Sequence, residues 1–254
     1  MSRIVVFNQK GGVGKTTTTL NLAALLTRRG RAPLVIDLDP QAHLSSICGA
    51  GVGTGVESLY AFYQEARQLS DLVRPGGGGW PVIPSHLDLA KVDSQFGKGP
   101  QALNRLNAGI LRENLNSNRS ILMDACPMLG VLSLNGIFAS DCVIVPISAD
   151  YLAIKGAMQV ERTLRALERV IKQPPLRRYV LTRFDSRRKM SWDIDRKLRE
   201  HFGAELCETR IAENVSLAES PAHNSDVFAH APDSRGARDY SALLDELEAA
   251  GFLN

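Results

Sequence analysis

Ile4-Val5-Val6-Phe7-Asn8-Gln9-Lys10-Gly11-Gly12-Val13-Gly14-Lys15-Thr16-Thr17 runs from a β-branched stretch through a glycine-rich turn into an apolar helix. Ile4-Val5-Val6-Phe7 has the composition of a parallel strand buried on both faces. Leu20, Leu22, Ala23, Ala24, Leu25 and Leu26 predict a helix over 16–29, and Gly30 is its stop signal. Between strand and helix, the glycines let backbone N–H groups turn inward toward an anion. The helix N-terminus adds its partial positive charge. In such a loop Lys15 reaches the β- and γ-phosphates and the Thr16 hydroxyl can sit on Mg²⁺. The loop predicts a nucleotide site at Lys10, Gly11, Gly12, Val13, Gly14, Lys15, Thr16 and Thr17, with ATP and Mg²⁺ as cofactors. One feature departs from the usual G-x-x-x-x-G-K-[ST] pattern. Gln9 stands where that pattern has glycine, and an extra lysine, Lys10, lies near the loop's start.

Outward from the loop the chain alternates. Strands are expected at 33–36, 120–123, 142–145 and 178–181. Helices are expected at 153–171, 192–202 and 240–250. The alternation predicts an α/β fold, a mostly parallel twisted sheet with helices on both faces, carried by one domain over 1–254. Residues 50–115 are the least regular part. Gly76-Gly77-Gly78-Gly79 after Pro75 reads as a surface loop.

Ligands in such sheets bind beyond the C-terminal ends of the strands. Carboxylates belong there if a phosphate and Mg²⁺ are to be handled. Leu34-Val35-Ile36 runs into Asp37 and Asp39, which alternation puts on the same side. Ile121-Leu122-Met123 runs into Asp124, the position that holds Mg²⁺ directly or through water. A single aspartate at a strand end is normally a cap or turn former. Three behind a phosphate loop point to chemistry.

Composition excludes other classes. The 254 residues are 44% hydrophobic and 22% charged, which rules out a disordered chain, a collagen-like chain and a disulfide mini-protein. No apolar run approaches the length that spans a bilayer. No signal peptide precedes the first strand, so a cytoplasmic location is expected. Cys48, Cys126, Cys142 and Cys207 lie far apart in sequence and read as core thiols.

The run from Lys10 to Thr17 resembles the deviant Walker A box of the ParA/MinD family of ATPases. The resemblance implies that Lys10 reaches across a homodimer to the partner's nucleotide. It implies that Lys10, Lys15 and Asp39 are catalytic, with Asp39 orienting the attacking water. It places Thr16, Asp37 and Asp124 at the metal. Asp37-Leu38-Asp39-Pro40-Gln41 resembles the family's D-x-D-P-Q box. After Asp124 the family usually has two prolines two residues on, whereas this chain has Cys126 and Pro127. The likeness continues through Leu134-Asn135-Gly136, Asp141–Pro146, Leu181–Arg187, Leu217–Pro221 and Ser234–Ala237, and is weakest between about 50 and 115. It is closest to ParA-type ATPases that position plasmids, chromosomes or protein cargo, slowly hydrolysing ATP. A ParB-like protein or a cargo adaptor is the implied activator.

Family members of this type bind DNA without sequence preference, in a nucleoid-associated state. Residues 172–199 hold ten basic residues against three acidic ones, a local excess larger than the net charge of +3. Arg183, Arg187, Arg188 and Lys189 are the expected DNA contacts. The family stretch Pro-Arg-Asn-Val-Arg, however, reads Ala212-Glu213-Asn214-Val215-Ser216 here, without either arginine. The alternative is therefore a nucleotide-gated adaptor or scaffold with little DNA binding or turnover. Membrane binding is not expected, since 240–250 carries three acids and no base. The first strand begins almost at Met1, so neither an N-terminal helix-turn-helix domain nor a basic activating peptide is expected.

Overall fold

The computed structural model describes residues 1–97 and 99–253. Its strands are β1 (Arg3–Val6), β2 (Leu34–Asp37), β3 (Arg74–Pro75), β4 (Pro81–Ile83), β5 (Ile121–Asp124), β6 (Cys142–Ser148), β7 (Leu176–Phe184) and β8 (Leu206–Ala212). They form one sheet in the order β3-β4-β2-β5-β1-β6-β7-β8. All neighbours pair parallel except β3 with β4. The helices are α1 (Lys15–Arg28), α2 (His43–Ile47), α3 (Leu59–Tyr63), α4 (Val92–Phe96), α5 (Pro100–Arg112), α6 (Val131–Phe138), α7 (Ala153–Glu168), α8 (Lys189–Phe202), α9 (Val215–Glu219), α10 (Val227–His230) and α11 (Arg235–Ala249).

Alternation along β1 builds both halves of the core. Val5 and Phe7 face a layer made by α3 through α8, while Ile4 and Val6 face α1, α2 and α9 through α11. Strands buried on both faces need apolar residues at every position, which is why β1 reads as a continuous run. Tyr240, Leu243, Leu244 and Leu247 bury α11 in the second layer. All four cysteines are buried and unpaired.

β1 lies centrally, between β5 and β6, and the glycine loop leaves its C-terminal end. Asp37 and Asp124 sit in register on neighbouring strands. The sheet thus gathers the loop and the strand-end aspartates at one edge.

Residues 50–115 are more regular than the sequence suggests. They hold α3, α4, α5 and the short β3–β4 hairpin. Gly76-Gly77-Gly78-Gly79 forms the hairpin's turn, and Gly78 packs under the buried Trp80 ring, where a Cβ would fall 2.0 Å from a ring carbon. On α6, Gly136 lets the helix approach the sheet. A Cβ there would meet Leu38 at 2.8 Å and Val5 at 3.1 Å. Gly136→Ala is expected to destabilise the fold by about 1–3 kcal/mol through overpacking, read as a lower melting temperature. An unchanged melting temperature would mean that α6 can simply shift outward.

Candidate functional site

Asn8 turns the chain out of β1. Its buried amide donates to the Pro146 carbonyl at 2.7 Å, and its Oδ1 accepts from the Lys10 N–H at 3.0 Å. Gly12 and Gly14 follow in left-handed conformations, at φ 72° and 90°, which side chains resist. Gly14 caps α1 without a side-chain bond, so the first N–H groups of the helix face outward. Thr182 on β7 ties the loop down from the other side, donating to the Val13 carbonyl at 2.8 Å.

Lys15 is buried, and its Nζ donates to the Lys10 carbonyl at 3.0 Å. Burial pushes its pKa down, against the opposing pull of Asp124 and Asp39. Thr16 donates to Asp124 Oδ2 at 2.7 Å, and Thr19 reaches Asp124 Oδ1 at 3.4 Å. Burial and the neighbouring Asp37 hold the Asp124 carboxyl well above the usual range. Two anions side by side inside the fold favour a bound cation or a proton.

Asp37 and Asp39 behave differently. Asp37 is fully buried and accepts from the Ser45 N–H (2.9 Å), the Ser45 hydroxyl (2.6 Å) and the Asp39 N–H (3.0 Å). Both of its oxygens are therefore engaged in fixing the turn after β2. Burial pushes its carboxyl up to about 6. Asp39 is half-buried on the cavity wall. Its Oδ1 accepts from the Gln41 N–H at 2.9 Å, and Oδ2 has no partner among the described residues.

The loop opens on a cavity of about 680 Å³. Gly11, Gly12, Gly14, Lys15, Thr16 and Thr17 line one end. The other end is walled by Thr182, Ile211, Ala212, Leu217 and Tyr240, an apolar surface suited to a flat base. Of this wall only Thr182 is foreseen, since Leu181–Arg187 resembles a family strand whose end borders the adenine; β8 is not foreseen by the sequence. Thr16 and Asp124 are the protein groups best placed for Mg²⁺. No cluster of three or more His, Cys, Asp or Glu metal ligands occurs among the described residues. Mg²⁺ habitually takes one or two protein groups and completes its shell with phosphate oxygens and water. Cys126 is buried, and its thiol is pushed up to about 11, so it fills space near the site as an inert side chain.

The basic strip is divided. Arg177 and Arg183 stand at opposite ends of β7, roughly 20 Å apart at strand spacing. Arg177 is enclosed by Glu168 and Glu205, and Arg178 lies over the Phe252 ring. Arg183, taken from sequence as a DNA contact, lines the nucleotide cavity and pairs with Glu213 at 3.2 Å. Arg187 and Arg188 project beyond β7, 88% and 61% exposed, both paired with Asp185. Lys189 begins α8 and is exposed. Three of the four expected contacts thus cluster where β7 turns into α8.

A glycine cradle at the end of the central strand of a parallel sheet, with Lys-Thr opening the next helix, defines a P-loop nucleotide-binding fold. Residues 1–176 match a family model described as an AAA domain. The chain is 37% identical to the chromosome-partitioning ATPase Soj of Thermus thermophilus, over 97% of this chain and 95% of that protein. It is 30% identical to the sporulation initiation inhibitor protein Soj of Bacillus subtilis, over 98% of each. A Mycobacterium smegmatis structure described as cobyrinic acid a,c-diamide synthase with bound ADP and magnesium superposes with TM-score 0.84 at 26% identity, covering 100% of this chain and 98% of that one. The chain belongs to the ParA/MinD-type ATPase family.

Proposed function

We propose that the chain works as one Mg²⁺-dependent ATPase domain that positions DNA or protein cargo through ATP-gated dimerisation. The observation that carries this reading is the loop itself. It presents Lys15 at a cavity whose wall carries Asp39, and the Lys15 ammonium donates to the carbonyl of a second loop lysine, Lys10. Lys15 and the glycine N–H groups bind phosphate, and Thr16 and Asp124 hold Mg²⁺, which neutralises charge that develops on the phosphates. Asp37 acts on the metal only by shaping the turn beside it. Asp39 orients water, and Lys10 serves the partner's nucleotide. The relatives called partitioning ATPases support the cellular role, with a ParB-like or cargo-adaptor protein as accelerator.

The dimer binds DNA through Arg187, Arg188 and Lys189, without sequence preference, and holds the protein on the nucleoid. Among the described residues, no helix is long and apolar enough to cross a membrane. The adaptor reading draws on one observation: Glu213 neutralises Arg183 where the family has an arginine. Single-turnover hydrolysis with and without DNA and an activating protein separates the two. Turnover unmoved by either addition would favour the adaptor.

Dimerisation has its own test. With hydrolysis blocked, wild type is expected to sediment as a dimer with ATP and as a monomer or weak dimer with ADP. Lys10→Ala removes one charge-assisted contact per subunit, on the order of 2–3 kcal/mol. That variant should lose the dimer yet keep binding ATP. Normal dimerisation of Lys10→Ala would sink the face-to-face arrangement.

A further inference from the structure

Lys10 already has a partner inside its own chain. Its ammonium donates to Asp150 Oδ2 at 2.5 Å, with both side chains about one-third to two-fifths exposed. Asp150 follows β6, which pairs with β1, so the contact bridges the ends of two central strands. Asp150 is itself fixed. Its Oδ1 accepts from the Leu152 N–H at 3.0 Å, and its own N–H donates to the Ser148 carbonyl at 2.8 Å.

Exposed apolar residues lie in the segments that follow β5 and β6, the strands flanking β1. Tyr151 and Leu152, directly after Asp150, are 88% and 51% exposed. Met128, in the loop after β5 on the other flank of β1, is 70% exposed. Exposed apolar residues gathered at one edge mark a surface that another protein covers. The pair lies within the surface that a second copy, docking loop to loop, would bury.

We propose that Asp150 is a positioning residue for Lys10, holding its ammonium in cis until a second, ATP-loaded copy displaces it. The inference rests on the trans role of Lys10 given above. A triphosphate carries several negative charges against the single charge of Asp150, so it wins the ammonium once it is presented. A partly exposed ion pair is weak enough to set a threshold and too weak to block assembly. Two pairs open in each dimer, so the effect of one substitution enters twice.

The test is sedimentation over a concentration series with Mg²⁺ and a non-hydrolysable ATP analogue. Asp150→Asn keeps an acceptor for the Leu152 N–H while removing the charge. It should lower the concentration at which half the protein is dimeric by about two- to thirtyfold. Analogue affinity of the isolated subunit should not change. Asp150→Ala should move the same way, and Asp150→Glu should restore wild-type behaviour. Combined with Lys10→Ala, Asp150→Asn should add nothing. An unchanged or raised midpoint in both Asp150→Asn and Asp150→Ala, with Lys10→Ala still monomeric, overturns the positioning role alone. Normal dimerisation of Lys10→Ala overturns the trans reading beneath it.

Discussion

Asp39→Ala is expected to lower ATP turnover by roughly 10²- to 10⁴-fold, the usual contribution of a group that orients or deprotonates a nucleophile. Nucleotide affinity should stay within a few-fold. The division follows from where the side chains are. Asp39 sits on the cavity wall with one oxygen fixed by the Gln41 N–H and the other without a partner. Its charge pulls on Lys15, but among the described residues it makes no hydrogen bond or ion pair with a loop group. In the proposed mechanism Asp39 works on water in the transition state, so its loss is expected in the rate and not in binding. Lys15→Ala gives the opposite pattern. Lys15 is buried beneath the loop, close to Asp124, and removing it leaves that carboxylate uncompensated. Affinity for ADP as well as ATP should fall, by roughly tenfold or more, as expected when a charge-assisted contact is lost. Titrations of both variants with fluorescent ADP, alongside steady-state turnover, check the pair. Equal loss of affinity in the two would refute the assignment of water to Asp39 and phosphate to Lys15.

The site's phosphate end is legible in sequence because its chemistry is local. Gly12, Gly14, Lys15 and Thr16 are consecutive or nearly so, and their spacing alone encodes the cradle. Asp124 is legible because an apolar strand runs straight into it. The base end is legible only through the resemblance of Leu181–Arg187, which carries Thr182; Ile211, Leu217 and Tyr240 join it only after further strands and helices have folded. β8 escapes notice for a related reason. It is an edge strand, and Glu208, Thr209 and Arg210 interrupt its apolar character with exposed or half-buried side chains. Asp150 is 140 residues from the lysine it holds. No short motif can encode a contact at that separation. The engaged state of Asp37 depends on Ser45, which lies on the next helix and carries no signal of its own.

Charge was the feature that sequence counting overstated. The excess between 172 and 199 counts only acids within that window. In the fold, Glu168, Glu205, Glu208 and Glu213 arrive from neighbouring elements and pair with Arg177, Arg199 and Arg183. What remains facing solvent is the run Arg187, Arg188 and Lys189 where β7 ends, with Lys172, Arg196 and Lys197 exposed elsewhere in the window. DNA affinity should therefore depend on few residues per subunit, and on having two subunits.

Replacing Arg187 and Arg188 together with alanine is expected to abolish ATP-dependent DNA binding at physiological salt. Phosphate contacts release counterions, each contributing about 0.9 to the slope of log affinity against log salt. Losing two contacts should flatten that slope by roughly 2 for each subunit engaged, and should weaken every sequence alike. Both arginines share Asp185, whose carboxyl they hold down to about 2, so this acid stays ionised throughout the working range. Asp185 orients the two guanidinium groups, and it also competes with DNA for them. Asp185→Asn should accordingly leave the salt slope intact while changing the affinity at fixed salt. Binding by one subunit is too weak to persist at physiological salt, whereas linking two such loops in a dimer multiplies the affinity. In the proposed function this avidity is the physical reason for ATP to gate DNA binding. Filter binding over a salt series, with ATP analogue and with ADP, reads all of this. Undiminished binding in the double alanine variant would move the DNA surface away from β7. Wild type that ignores DNA even as an ATP-bound dimer would instead identify the acidic Glu213 and the missing arginines as decisive, and the chain as an adaptor.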